Sequence, residues 1–221
     1  MAITRLGSNQ SVNLASNVTG TLPIANGGTA VTTAAALANT GNFVLIKSIV
    51  ASGSSSIEFI NGSSDVVIDS TYRQYILKGS NVTASANGET YFAIRESGAF
   101  QGSNYARIYS RIYRQSGSGN QDVGSNWSDQ GTVGVRLEHN YTGQSPKSSN
   151  YEVIINNPDN GTLLTSLMYL GWGANQESED KFVGYRGGAY YRDNGNAVDG
   201  FRFKHSGGNL SGTFSLYGVK A

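Results

Sequence analysis

Apolar and polar residues alternate with a period of two through most of this chain, from Asn42 to the C-terminus. Short segments rich in Val, Ile, Tyr and Phe are separated by clusters of Gly, Asn and Ser, a pattern typical of β-strands joined by turns. The Gly/Ser/Asn-rich stretch 115–125 is predicted to be an exposed connection. We predict twelve strands, at residues 43–50, 56–60, 66–69, 73–77, 89–95, 104–114, 132–138, 151–156, 163–169, 181–185, 200–204 and 212–219.

The strand pattern also predicts the fold class. No helical period lies between the strands, so parallel architectures with crossover helices are excluded. Many short strands at this spacing indicate an all-β, antiparallel head, a β-sandwich of jelly-roll type, formed by residues 42–221. A chain of 221 residues is long enough for one such domain and a small additional segment.

Residues 1–41 differ from the rest because they contain no aromatic residue. Such a segment cannot bury enough apolar surface to fold alone, so we expect it to be extended. Its one local signal is a short Ala-rich helix, capped by Thr32 or Thr33 and followed by Gly41. The sequence therefore predicts two parts, an extended N-terminal segment with one short helix and a β head.

Composition narrows the classes of partner. Only 14% of the residues are charged, the formal net charge is +1, and there is no cysteine. Nucleic-acid binding is not expected, because Lys and Arg are not clustered. The neutral, hydrogen-bonding surface suits sugars or other protein subunits. Residues 1–8 contain no signal-peptide core, and apolar runs such as 43–46 are too short to insert in a membrane, so we expect a soluble protein made in a cytoplasm.

One predicted strand, 104–114, has two chemically different faces, because alternate residues of a strand share a face. We predict that Ala106, Ile108, Ser110 and Ile112 point into the core. Tyr and Arg are enriched at protein interfaces, so the opposite face is a candidate subunit interface or glycan-binding surface. An ordinary solvated strand is the alternative. This Tyr–Arg ladder consists of Tyr105, Arg107, Tyr109, Arg111 and Tyr113.

Aromatic residues in the C-terminal half offer a second candidate surface. Sugars stack on exposed rings, and neighbouring polar groups fix their hydroxyls. The alternative is core or hairpin packing, which we favour for Tyr169 and Trp172. The glycan-binding candidates are Trp127, Tyr190, Tyr191, Arg192 and Asp193.

No catalytic or metal-binding constellation is predicted. The chain has no P-loop, no G-x-S-x-G and no H-E-x-x-H motif, and neither His139 nor His205 has a second ligand at metal spacing. The acidic residues give no arguable catalytic pair. They are the turn-forming Glu177, Glu179 and Asp180, and Asp193 with Asp199. We therefore expect a protein without enzymatic activity, metal or cofactor.

The N-terminal segment contains a recognisable phrase. Residues 17–30 read Asn-Val-Thr-Gly-Thr-Leu-Pro-Ile-Ala-Asn-Gly-Gly-Thr-Ala, which resembles a module of bacteriophage tail fibres and related appendage proteins. In that module a Gly-Thr-Leu-Pro-x-Ala-Asn-Gly-Gly-Thr-Gly string precedes a short Ala/Thr-rich helix. Here residues 32–38 supply the helix, and Ala30 replaces the last glycine. The resemblance implies attachment to the virion and assembly as a homotrimer.

A homotrimer also suits the physical character of this segment. Three extended segments can bury apolar side chains against one another where one chain alone could not. The candidate attachment and oligomer-contact residues are Val18, Leu22, Pro23, Ile24 and Leu37.

The C-terminal stretch, residues 198–203 and 206–219, resembles the last two strands of jelly-roll-like domains in phage structural proteins, which implies an exposed, receptor-facing end. Together the resemblances imply a virion structural protein, a tail fibre or appendage made in a bacterial host's cytoplasm. Its expected partners are itself, other tail or capsid proteins, and host-surface glycan. The alternatives are a capsid decoration or cement protein, a carbohydrate-binding lectin-like module, and a small hydrolase, which the missing catalytic constellation disfavours.

Overall fold

The computed structural model describes residues 42–115, 118–126, 134–137, 147–158, 163–174, 182–192 and 196–220, with side chains throughout except at 113–115, 118–126 and 174. These residues form antiparallel strands and no helix, and so include no helix able to span a bilayer. The all-β, antiparallel part of the prediction is confirmed. The strands are β1 (Phe43–Ser54), β2 (Ser56–Ile60), β3 (Gln74–Ala84), β4 (Thr90–Glu96), β5 (Ala99–Phe100), β6 (Tyr105–Gln115), β7 (Ser118–Asn126), β8 (Val135–Arg136), β9 (Ser149–Asn156), β10 (Ser166–Ala174), β11 (Phe182–Tyr191), β12 (Val198–His205) and β13 (Leu210–Val219).

The strands form two sheets. An eight-stranded sheet has the order β1-β13-β3-β9-β10-β11-β6-β7. The second sheet has five strands: four in the order β2-β12-β4-β5, and β8, which also pairs with β4. The chain crosses repeatedly between them, since β1 and β3 belong to the large sheet and β2 and β4 to the small one. Neighbouring strands are therefore often distant in sequence, as β1 and β13 are.

The inner faces of the two sheets share one hydrophobic core. Tyr75 of the large sheet lies 5.7 Å from Phe201 of the small one, and Phe203 lies 5.3 Å from Phe214, measured between ring centroids. Strand β9 alternates strictly between buried and half-buried residues, as a strand covered on one face should. The large aromatic rings of this core bury much of the apolar surface that stabilises the fold.

Backbone turns explain two irregular points. Ser97 and Gly98 both have positive φ between β4 and β5, where Glu96 pairs with Ala99. That geometry is the two-residue hairpin turn that matches the twist of the strands, and glycine adopts it without strain. In β13 the register shifts at Gly212, whose φ is +137°, which places a bulge beside β3.

Two local predictions are wrong. Residues 66–69 do not form a strand: Val66 and Ile68 are buried, but the Ile68 amide donates to Asn61 Oδ1 at 3.0 Å, so the alternation comes from an irregular segment packed on the core. The predicted connection 115–125 contains most of strand β7, which pairs with β6 from Gln115↔Ser118 to Arg107↔Asn126. Backbone pairing with a neighbour overrides weak β-propensity there.

The predicted N-terminal segment, including its short helix and the attachment candidates Val18, Leu22, Pro23, Ile24 and Leu37, lies outside the described residues. The boundary at residue 42 and the roles of these five residues stay predictions.

Candidate functional site

The face of strand β6 that points into the core is not the one predicted from the sequence but the opposite one. Tyr105 and Arg107 are buried, whereas Ile108 and Ile112 are 65% and 50% exposed. The prediction that Ile108 and Ile112 point into the core is wrong. Tyr109 and Arg111 are half-buried on the inner side, and Tyr113 is one of the residues whose side chains the structure does not describe.

Tyr105 can be buried on the inner face because its hydroxyl finds hydrogen-bond partners there. Its hydroxyl donates to the Gln101 carbonyl at 3.1 Å and accepts from the Ile94 amide at 3.0 Å. The ring lies 5.3 Å from that of Tyr191. Burial raises the pKa of Tyr105 above its usual value, so this hydroxyl stays neutral.

Arg107 is the most unusual residue of the ladder, because a guanidinium is almost never fully buried without a charged partner. Its Nη1 donates to the Arg136 carbonyl at 3.4 Å, and the guanidinium carbon lies 5.5 Å from the centroid of the Tyr109 ring. No group accepts a hydrogen bond from its Nε or Nη2, and the nearby Tyr169 hydroxyl is also without a partner among the residues that the structure describes. Burial lowers the pKa of Arg107 and raises that of Tyr169 to about 12.

A neighbouring ion pair completes this inner polar cluster. Arg136 Nη1 lies 2.6 Å from Glu89 Oε1, and the Tyr91 hydroxyl donates to Glu89 Oε2 at 2.5 Å. Burial, followed by the hydrogen bond to Glu89, raises the pKa of Tyr91 to about 12. The cluster holds β4, β6 and β8 together. Its described residues include one carboxylate, which already pairs with Arg136, so they offer no pair for acid–base chemistry. A role of the ladder at an interface or ligand site stays a prediction.

The glycan-binding candidates do not share one surface. Tyr190 is 37% exposed and Arg192 is exposed, whereas Tyr191 is buried and donates to Glu96 Oε2 at 3.0 Å. Alternation along β11 separates the two tyrosines, so Tyr191 is a core residue. Trp127 and Asp193 lie outside the described residues, and their proposed role, like that of Tyr190 and Arg192, stays a prediction.

The outer face of the eight-stranded sheet contains a groove of about 730 Å³ that runs across β9, β10, β11 and β6. Gly188 faces outward within the groove, where an added Cβ would meet only the Leu167 carbonyl oxygen, at 3.4 Å. Gly184, further along β11, also faces mostly open space. Large side chains of β6 and β10 stand on both sides of this gap. The groove is lined by eight residues of the outer face, which are Ile108, Ser110, Glu152, Ile154, Met168, Leu170, Arg186 and Gly188. Three residues that alternation assigns to the inner face also line it, namely Tyr109, Tyr169 and Gly187.

Exposed apolar residues extend beyond the groove itself. Met168 is 59% exposed, Trp172 39% and Phe182 58%. From the sequence we singled out only Trp172 among these three, and we favoured core or hairpin packing for it, whereas its ring lies on the outer face. A signal was present, because residues 167–172 are apolar at both odd and even positions, whereas a strand covered on one face needs only one of the two sets.

A row of charges crosses the groove. Strand pairing places Lys78, Glu152, Leu170 and Arg186 side by side on consecutive strands β3, β9, β10 and β11. Lys78 Nζ lies 3.0 Å from Glu152 Oε2, whereas Arg186 forms no ion pair with any described residue. Adjacent strands are about 4.8 Å apart, so the backbones at Glu152 and Arg186 are separated by about 10 Å, with Leu170 between them.

No group of three potential metal ligands occurs within the described ranges. His205 is buried, and its Nδ1 accepts from the amides of Gly207 and Gly208 at 3.2 and 2.9 Å. Burial lowers the pKa of His205, against smaller opposing effects of the Gly88 backbone and the Glu89 carboxylate. The imidazole therefore closes a turn. Asp199, the described member of the acidic candidates, pairs with Arg95 at 2.8 Å.

No protein-family model, curated protein or solved structure matches this chain.

Proposed function

We propose that this protein is a non-enzymatic virion structural protein, a phage tail fibre or appendage. Its N-terminal segment attaches to the virion, the chain assembles as a homotrimer, and its β head contacts the host surface. The observation that carries the proposal is the phrase at residues 17–30, followed by the Ala-rich stretch 32–38. An antiparallel β head with a broad exposed apolar face, suited to protein contact, agrees with it.

We infer further that the head is a β-sandwich of jelly-roll type. In support, two antiparallel sheets share one core, and the chain crosses between them at β1–β2, β2–β3 and β3–β4. Sandwiches of this kind cluster their loops at the two ends of the sheets, where a receptor can reach them.

Deletion of residues 1–41 tests the attachment part of the proposal. The described core lies between Val44 and Leu216, so we expect the truncated protein to fold. Particles assembled with it are expected to lack the head. Thermal unfolding of the purified head is the control for folding. Recovery of the truncated protein on purified particles at the normal copy number would contradict the proposal.

A capsid decoration or cement protein is the second candidate function, and the same exposed apolar face favours it, because cementing requires protein–protein contact. Quantitative mass spectrometry of purified particles separates the two. A few copies per particle support an appendage, and tens to hundreds of copies support a shell protein.

Host-surface adhesion, including the lectin-like alternative, is tested by a glycan array with the full chain. Tyr190→Ala is the informative variant because Tyr190 is an exposed candidate, and Phe43→Ala, an exposed ring on β1, is the matched control. We expect only the Tyr190 variant to lose binding. Absence of binding to every host-surface material would favour the cement protein.

A further inference from the structure

The outer face of β6, β9, β10 and β11 is large enough to be an interface. Six large apolar side chains on β6, β10 and β11 have exposed fractions between 39% for Trp172 and 65% for Ile108. At about 200 Å² for a fully exposed large side chain, they present several hundred Å², close to the ~800 Å² per partner of a specific interface. The six are Ile108, Ile112, Met168, Leu170, Trp172 and Phe182.

Strand register makes this surface continuous. One row of outward residues crosses seven strands without a charged residue. Soluble monomers rarely expose contiguous apolar surface of this extent. The row consists of Leu45, Tyr217, Ile76, Ile154, Met168, Gly188 and Ile108.

The chemistry of the groove favours a protein surface as its occupant. Its side walls are aliphatic, formed by Ile108, Ile154, Met168 and Leu170. Sugar sites need exposed rings and a dense set of polar groups, and polyanion sites need clustered cations. Here the charged groups of the groove are Glu152 and Arg186, one of each sign.

The positions of these two charges point to a second copy of the same chain. Glu152 and Arg186 flank Leu170 on either side in one row. A symmetry axis parallel to the strands and close to Leu170 brings the Glu152 side of one copy against the Arg186 side of another. Arg186 is then paired with Glu152 of another copy, which also keeps its ion pair with Lys78, and the apolar residues on each side are covered.

The shape is also suited to self-association. The β10 side chains Met168 and Trp172 stand beside the gap left by Gly184 and Gly188. A side chain projecting from one copy can enter the gap of the other, so the same face supplies both the projecting part and the recess.

We propose that the outer face of β6, β9, β10 and β11 is the surface through which copies of this chain associate, with Leu170 at its centre and Glu152 of one copy paired with Arg186 of another. This inference names the surface through which the proposed homotrimer would form. It rests on the proposed function for the number of copies, three.

The test is the mass of the full-length protein by light scattering and sedimentation over a range of concentrations. We expect wild type to be an oligomer and Leu170→Asp to weaken association roughly 30-fold or more, because charges would meet at the centre. Val50→Asp is the matched control, since Val50 is an aliphatic residue of the same outer face and is 81% exposed at β1. It should associate as wild type does. Thermal unfolding at low concentration checks that both variants are folded.

Charge exchange tests the orientation. Arg186→Glu alone places like charges together between copies and should weaken association roughly tenfold or more. Glu152→Arg alone should do the same, but it also removes the ion pair with Lys78 of its own chain, so its thermal unfolding is measured beside it. The double variant E152R/R186E should restore association, because the opposite charges are then exchanged.

Three results would overturn the inference. In the first, Leu170→Asp keeps the wild-type mass, so the trimer stands but is formed elsewhere. In the second, wild type is monomeric at all concentrations, which removes the homotrimer as well. In the third, wild type is again monomeric, but Leu170→Asp is no longer incorporated into particles. That result would identify a different virion protein as the partner of this face. Detection of the chain in purified particles remains a separate test of the appendage assignment.

Discussion

The inner and outer faces of strands β6, β10 and β11 contain different side chains in different surroundings. The inner face holds Tyr105, Arg107 and Tyr169, covered by the rest of the chain. The outer face holds Ile108 and Met168, both more than half exposed. Tyr105 is buried with both hydrogen bonds of its hydroxyl formed, whereas Arg107 and the Tyr169 hydroxyl are buried with groups that find no partner among the described residues. Apolar groups can be exposed when another surface covers them. The alternation of apolar and polar residues along a strand therefore identifies two sets of side chains, but it does not show which set is buried.

The largest effect should come from the aromatic core. Phe201→Ala removes a fully buried ring near Tyr75 and Phe92, so we expect a loss of about 3–5 kcal/mol in the free energy of unfolding. Phe182→Ala is the control on the outer face, where the ring is 58% exposed. Its cost should stay below about 0.5 kcal/mol. Denaturant unfolding at low protein concentration measures both. Equal losses would contradict the difference between the faces.

Two adjacent glycines of β11 sharpen the comparison further. A Cβ at Gly187 would overlap the Tyr169 ring, so Gly187→Ala should cost roughly 1–3 kcal/mol. A Cβ at Gly188 would meet its nearest atom, the Leu167 carbonyl oxygen, at 3.4 Å, an ordinary contact. Gly188→Ala should therefore be neutral or stabilise the fold by about 0.5 kcal/mol, because alanine loses less backbone entropy on folding. The opposite order in unfolding experiments would show that the two faces are reversed.

The neighbouring tyrosines of β11 should give an effect of similar size. Tyr191→Phe removes the hydroxyl that donates to the buried Glu96 carboxylate, and we expect a cost of roughly 1.5–3 kcal/mol. Tyr190→Phe alters an outward ring and should change stability by less than about 0.5 kcal/mol. Thermal and denaturant unfolding of the pair measure the difference. If both variants match wild type, the Tyr191–Glu96 hydrogen bond contributes nothing to stability.

The smallest expected effect concerns pH and the inner face of β12. Burial lowers the pKa of His205 below the value of about 6.5 that it has in the unfolded chain. The unfolded state therefore takes up the proton first. The contribution of neutral His205 to the free energy of unfolding is fully present above pH ~6.5. It is lost as the pH falls from there through the pKa that His205 has in the folded state.

We expect wild type to lose stability between pH 7.5 and 5.5 more steeply than His205→Asn, which keeps an acceptor for the glycine amides. Unfolding at a series of pH values measures the two slopes, and carboxylate titration cancels in the comparison. Parallel slopes would show that His205 does not take part.

Much of the fold could be predicted from the sequence, and the failures have physical causes. Segments such as β2, β4 and β9 were located by their alternation and by β-branched and aromatic residues. Strand β7 was not, because Ser118–Asn126 is rich in polar residues and glycine, and its pairing with β6 is a tertiary interaction. Residues 66–69 alternate like a strand, but the pattern there reflects packing of an irregular segment.

The candidate site could be predicted less well. The Tyr–Arg ladder was recognised as one set of side chains, and the structure keeps its described members on one side of β6. The groove was not predicted, because Glu152, Leu170 and Arg186 come from three strands whose register depends on the whole sheet. Distances between strands that are far apart in sequence are not encoded in any local pattern.

The sequence by itself determined the strand period, the antiparallel all-β class and the two sets of residues on β6, because side chains of a strand alternate between its faces. Only the tertiary structure decided which set is buried. Tyr105 finds hydrogen-bond partners at Gln101 and Ile94, and Tyr191 lies against its ring, so the polar face of β6 can be buried in the core. Ile108 and Ile112 are left on the outer face, where the strand order places them beside β10 and the glycines of β11.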